Sequence, residues 1–167
     1  MRNPEELART AIDLGFKLHS DLGPGLLESV YEAILAAMLT EAGLKVDRQK
    51  PIPIDYNGLV ISEGFRADLI VDSSLVIEVK AVEQLAPVHG KQLPTYLRLM
   101  KQPLGLLLNF GAPTFREGVK RVVNAHTNFA SSRAQLSARR GAPALAEGQD
   151  LSASLRLCAR SLLPAFV

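Results

Sequence analysis

Hydrophobic patterning predicts an α/β fold, a sheet flanked by helices, and three observations lead to it. Two N-terminal segments repeat their apolar residues at helical spacing. The pattern then changes to short runs of Val, Ile and Leu that are apolar on both faces, as suits strands buried inside a sheet. A further helical stretch lies between two of those runs, giving the order α-α-β-β-β-β-α-β-α.

Each element has its own signal. Asn3 can cap a first helix that Pro4 opens, with Glu6 three residues after the cap. Leu7, Ala11, Leu14 and Leu18 carry it to about Ser20, and Gly23-Pro24-Gly25 breaks the chain. A second helix is expected from Leu26 to Ala42, with Leu27, Val30, Tyr31, Ile34, Leu35 and Met38 as its apolar stripe and Gly43 as its stop. Lys45 to Asp55 contains Pro51 and Pro53 and suits an edge strand. Tyr56-Asn57-Gly58 is a hairpin signal leading into Leu59 to Ser62. Phe65 to Val71 and Leu75 to Val82 are expected as central strands. Val88 to Lys101 follows as a helix, Leu104 to Phe110 as a strand, and Phe115 to Asn124 as a basic amphipathic helix. There is no internal repeat.

Composition narrows the function classes. The chain has 167 residues, 47% hydrophobic and 22% charged, enough to bury a core and too few for a large multidomain enzyme. No run approaches a membrane span, and MRNPEELART lacks the apolar centre of a signal peptide, so the chain reads as soluble and cytoplasmic. The lone Cys158 excludes an internal disulfide and a cysteine-based zinc cluster. Residues 1–127 hold 14 basic and 15 acidic side chains, a net −1, so any nucleic-acid surface must come from local clustering. Residues 128–167 turn to Ala, Ser, Leu and Arg with a net +3. They read as a mobile or weakly docked tail, with a short partner-binding or membrane-surface helix after Asp150 as the alternative.

The chemistry concentrates in Gly64-Phe-Arg-Ala-Asp68 and, ten residues beyond Asp68, Glu78-Val-Lys80. Glu78 and Lys80 are two apart on a strand and share a side. A three-residue turn, Asp72 to Ser74, sets Asp68 on their side, so the chemistry calls for an odd-length turn or a bulge there. A two-residue Ser73-Ser74 loop would put Asp68 opposite Val79 instead. Two adjacent carboxylates call for a cation between them, and oxygen ligands select Mg²⁺ or Mn²⁺, with the Val79 carbonyl as a third donor. Such an ion lowers the pKa of bound water and neutralises charge on a phosphate, while Lys80 orients the water or stabilises the transition state. An exposed Glu-x-Lys pair with no function is the competing interpretation. The apolar surroundings VIEVKAV and ADLIV argue against it. Gln92 and Tyr96 share a helical face just after this strand, and Glu28 and Tyr31 open the second helix.

Gly25-Leu-Leu-Glu28-Ser-Val-Tyr31 resembles the pattern of the GxxExxY family, within the PD-(D/E)xK nuclease superfamily. The resemblance extends through GFRADLIV, VIEVKAVEQLAPVHGKQLPTYLRL, LGLLLNFG and GVKRVVN, over about residues 5–124. It implies a restriction-endonuclease-like α-β-β-β-α-β core with a mixed central sheet flanked by helices. It also implies that Asp68, Glu78 and Lys80 correspond to the D…(D/E)xK signature. Gln92 and Tyr96 then correspond to a QxxxY motif, and Glu28 to a helical acidic ligand. Pro94 departs from the family pattern and is expected to kink the helix or delay its start.

The expected function is Mg²⁺- or Mn²⁺-dependent phosphodiester cleavage, of DNA in preference to RNA. Asp68, Glu78, the Val79 carbonyl and Glu28 hold the metal. Lys80 assists the water, and Gln92 and Tyr96 position the reactants. Tyr31, Lys91, Arg98, Arg116 and Lys120 are candidate substrate contacts. A non-catalytic nucleic-acid or protein interaction module on the same fold, or a nuclease active only with a partner, are the alternatives, and a protein partner or a homo-oligomer is left open.

Overall fold

Local signals set the helix limits in the computed structural model, which describes residues 2–124; the tail expectation for 128–167 lies outside them. Asn3 caps α1 (Pro4–Leu22), its side chain accepting the Glu5 N–H at 3.0 Å. The helix ends at Gly23, which takes a φ of 67°. α2 (Glu28–Glu41) is shorter than expected at both ends, and Gly43 closes it at a φ of 77°. Its buried face is Tyr31, Glu32, Leu35, Ala36 and Leu39. The expected stripe is therefore rotated, leaving Leu27 73% exposed. The helix is apolar on nearly every side, so spacing alone selects no face.

Five strands form one sheet in the order β1 (Val46–Tyr56), β2 (Leu59–Val71), β3 (Leu75–Lys80), β4 (Leu104–Asn109), β5 (Val119–Val123). Only β3 and β4 run parallel, joined through α3 (His89–Met100), so the sheet is mixed. β1 lies at the edge, where Pro51 and Pro53 are tolerated.

Two elements differ from their sequence reading. Leu59–Ser62 and Phe65–Val71 are one strand, β2, with a bulge between them. Pairing passes from Ile52↔Phe65 to Ile54↔Ile61, and the Ile54 side chain fills the space a Gly64 Cβ would need. The expected helix from Phe115 to Asn124 is a single turn, α4 (Phe115–Gly118), followed by β5. Gly118 presses against the Asn109 carbonyl with no room for a Cβ, and the β-branched Val119, Val122 and Val123 continue as an edge strand paired to β4. The order is thus α-α-β-β-β-α-β-α-β.

Two apolar layers enclose the sheet. Leu7, Ala11, Leu35 and Leu39 of α1 and α2 pack on Leu69, Ile77, Val79 and Leu106. Leu93 and Leu97 of α3 pack on Ala67, Ile70, Val76 and Leu107 from the other side. All six residues of β3 are buried, so whatever charge this strand carries must find partners inside the protein.

Candidate active site

The turn between β2 and β3 sets the geometry. It has three residues, Asp72 to Ser74, since Val71 pairs with Leu75, Ile70 with Val76 and Leu69 with Ile77. Asp72 and Ser73 reach left-handed φ values of 46° and 56° to make it. This is the register that sets Asp68 level with Glu78. The ladder stops there: the Asp68 carboxylate Oδ2 accepts the Val79 N–H at 2.9 Å, taking the place of the next rung.

Glu78 and Lys80 meet beside it. Lys80 Nζ donates to Glu78 Oε1 at 2.8 Å and to the Val79 carbonyl at 3.0 Å, and Glu28 Oε1 at the start of α2 lies 3.4 Å away. Glu78 is 4% exposed, and its second oxygen, Oε2, is buried with no hydrogen-bond partner. Where the chain leaves β3, Asn109 holds it on both sides. Its Oδ1 accepts the Val82 N–H at 3.0 Å and its Nδ2 donates to the Val82 carbonyl at 2.8 Å. α3 then brings Gln92 and Tyr96 over the sheet, with the Tyr96 ring stacked on Phe65 at 3.9 Å between centroids. Pro94 stands inside α3 and neither ends it nor delays its start beyond His89.

Burial raises the Asp68 carboxyl pKa above its ordinary 3.8, against the Val79 N–H and the Lys80 charge. Burial, then the Asp68 charge, raises Glu78 above 4.5, with Lys80 opposing. For Lys80 burial works against the charge, but the hydrogen bond and charge of Glu78, with Asp68 and Glu28, outweigh it and push the ammonium above 10.5. Burial and the Glu78 charge raise the Tyr96 phenol above 10.0, so it stays protonated.

Other expected contacts fall elsewhere. Tyr31 is wholly buried, stacked on Phe110 at 4.6 Å. Its hydroxyl donates to the Gly23 carbonyl at 2.5 Å and accepts the Leu26 N–H at 3.2 Å, so it fastens the loop before α2 and offers no surface to a substrate. Lys91 and Arg98 are exposed on α3. Arg116 lies across the sheet from them, lining a groove with Ile12, Asp13 and Phe16 of α1. Lys120 sits on β5, where alternation separates it from Arg121, which pairs with Glu5. The expected basic helix face joining Arg116 to Lys120 therefore does not exist.

Two residues with a place at the site escape the sequence reading. Glu32, 5% exposed, accepts from Arg48 Nε at 3.1 Å and from Gln49 Nε2 at 2.6 Å, and Gln49 Nε2 also lies 3.3 Å from Asp68 Oδ1. The available signal was spacing: Glu32 follows Glu28 by one helical turn, in line with the buried Ala36.

A sequence profile of the PD-(D/E)XK nuclease superfamily matches residues 5–122. The chain belongs to this superfamily. The five-stranded mixed sheet with flanking helices agrees with its α/β fold. No curated protein and no solved structure matches the chain.

PD-(D/E)XK nucleases generally use divalent metals, and the donors here suit one. They are all oxygens, from Asp68, Glu78, Glu28 and the Val79 carbonyl, as a hard cation requires. The unpartnered Glu78 Oε2 is an acceptor in want of a positive partner. Among the described residues no three His, Cys, Asp or Glu side chains stand grouped as a ready metal site. The Lys80 ammonium compensates the charge among these oxygens.

Proposed function

We propose that this superfamily member is a phosphodiesterase that cleaves nucleic acid with Mg²⁺ or Mn²⁺, acting on DNA in preference to RNA. One observation carries the reading: the three-residue turn sets Asp68 beside the Val79 N–H while Glu78 and Lys80 meet 2.8 Å apart. Asp68, Glu78 and the Val79 carbonyl would hold the ion, with Glu28 contributing from α2. Once bound, the ion supplies an activated water and charge neutralisation at the phosphate.

The chain's own residues supply the rest. Lys80, held charged by its carboxylate neighbours, stabilises negative charge growing on the phosphate or orients the water. Tyr96, protonated and stacked on Phe65, would offer its hydroxyl proton from a fixed ring, and Gln92 lies one turn before it. Lys91 and Arg98, exposed on the same helix, would contribute positive charge toward a phosphate backbone.

The test is a gel assay with single- and double-stranded DNA and RNA in Mg²⁺, Mn²⁺ or EDTA, with Glu78→Ala and Lys80→Ala proteins checked for folding. Metal-dependent cleavage lost in both variants is expected. Folded wild-type protein that binds Mn²⁺ through Glu78 without cutting would point to a partner-dependent nuclease. No Glu78-dependent Mn²⁺ binding would leave a binding module on the same fold.

A further inference from the structure

Gln49 occupies an unusual place for a strand residue. It lies between the paired positions Arg48↔Leu69 and Lys50↔Ala67, level with Asp68, yet its backbone is left-handed with a φ of 47°. A strand sends successive side chains to opposite faces, but Arg48 and Gln49 both reach the Glu32 carboxylate on α2.

The layers show what this turn in the backbone does. Val46 packs with the α1 and α2 layer, whereas Ile52, which an unbroken alternation would keep on that face, packs with the α3 layer. On β2, Leu69 packs with the first layer and Ala67, of the same parity, with the second. Both strands therefore exchange faces at the level of Gln49 and Asp68. The exchange leaves Asp68 free to turn its carboxylate toward the Val79 N–H, and it brings the Gln49 amide between two carboxylates: 2.6 Å from Glu32 Oε2 and 3.3 Å from Asp68 Oδ1.

We propose that Gln49 is a positioning residue: held by the buried Glu32, its amide fixes the orientation of Asp68 as a ligand for the catalytic divalent cation. The proposal rests on the nuclease reading above. An amide nitrogen carries two protons and no charge, so it can bridge two carboxylates without competing as a cation. Asp68 is then fixed through both oxygens, by Val79 and by Gln49, with lone pairs left over for an ion.

Gln49→Gly separates the backbone from the side chain, since glycine adopts the left-handed φ freely and only the side chain with its amide is lost. Calorimetry with Mn²⁺ should show affinity reduced by about 10–100-fold, in a protein that still unfolds cooperatively in urea. In the metal-free protein, the Gln49 side-chain amide protons should exchange slowly and shift on Glu32→Gln and on Asp68→Asn. Full Mn²⁺ affinity in Gln49→Gly, or an amide signal at the position of a free glutamine that neither variant moves, would overturn the proposal. Wild-type protein without Glu78-dependent Mn²⁺ binding would remove the nuclease reading, and the role of Gln49 toward a metal with it. Binding that Gln49→Gly leaves intact would overturn the role of Gln49 alone.

Discussion

Glu78 shows how one buried carboxylate links stability to binding. Folding raises its pKa above 4.5, chiefly through burial, so the folded protein favours the protonated form. Its contribution to stability is present at low pH and lost as the pH rises from the ordinary value through the raised one. Glu78→Gln cannot ionise, so its urea midpoint in metal-free buffer should gain on the wild type across that window and hold a constant difference above it. Parallel midpoints at stepped pH check this; a difference that does not change with pH would mean that Glu78 titrates normally. Asp68 is raised in the same sense, so Mn²⁺, which needs both carboxylates ionised, should begin to lose affinity at a pH above their ordinary values. Titrations at descending pH read that loss. Asp68, Glu78 and Lys80 were legible from residue type and apolar context. Gln49 was not, because nothing in its neighbours announces a left-handed turn within a strand.

At the scale of elements, α4 and β5 teach the most. Thr114 caps as a helix start should, and its hydroxyl accepts the Glu117 N–H at 3.4 Å. The helix nevertheless stops after one turn, because pairing with β4 continues the sheet and Gly118 fits against Asn109. Gly118→Ala would drive a methyl into the Asn109 carbonyl, a backbone atom with little room to yield. A loss of about 1–3 kcal/mol is expected, read as a lowered urea midpoint; an unchanged midpoint would show that the junction is loosely packed. Asn109 also grips Val82, so the same variant should disturb the exit from β3 and weaken Mn²⁺ binding. The bulge at Gly64 makes a related point. A glycine in an apolar segment reads as a break, yet the strand passes through it because Ile54 takes the vacated space.

Across the whole molecule, the proposed metal ligands come from elements far apart in sequence. Glu28 begins α2, Asp68 lies on β2 and Glu78 on β3, so an ion held by all three would tie helix to sheet. Binding to the folded state alone should then stabilise the protein by about 2.7 kcal/mol at a hundred times the Mn²⁺ dissociation constant. Denaturant unfolding with Mn²⁺ and with EDTA measures this, and Glu78→Ala should show no such gain. Equal midpoints in both buffers for the wild type would argue against the metal site. The surface charge is less organised than the sequence led one to expect: Lys91 and Arg98 share α3, while Arg116 belongs to the far side of the sheet. Among the described residues no helix is long and apolar enough to cross a membrane.

Residue order alone was enough for the α/β class, the two N-terminal helices and the edge strand, and for the condition that an odd-length turn or a bulge precede Glu78 if Asp68 is to join it. These rest on caps, glycines, prolines and a hydrophobic period, all of which act over a few residues. Tertiary structure alone decided which face of α2 is buried, that Tyr31 is a core clamp, that 119–123 is a strand, and that Gln49 stands between Glu32 and Asp68. Those outcomes depend on which distant element supplies the partner. A helix apolar on nearly every side, a valine-rich segment after a good cap and an amide between two carboxylates each have more than one local solution, and packing against the sheet selects among them.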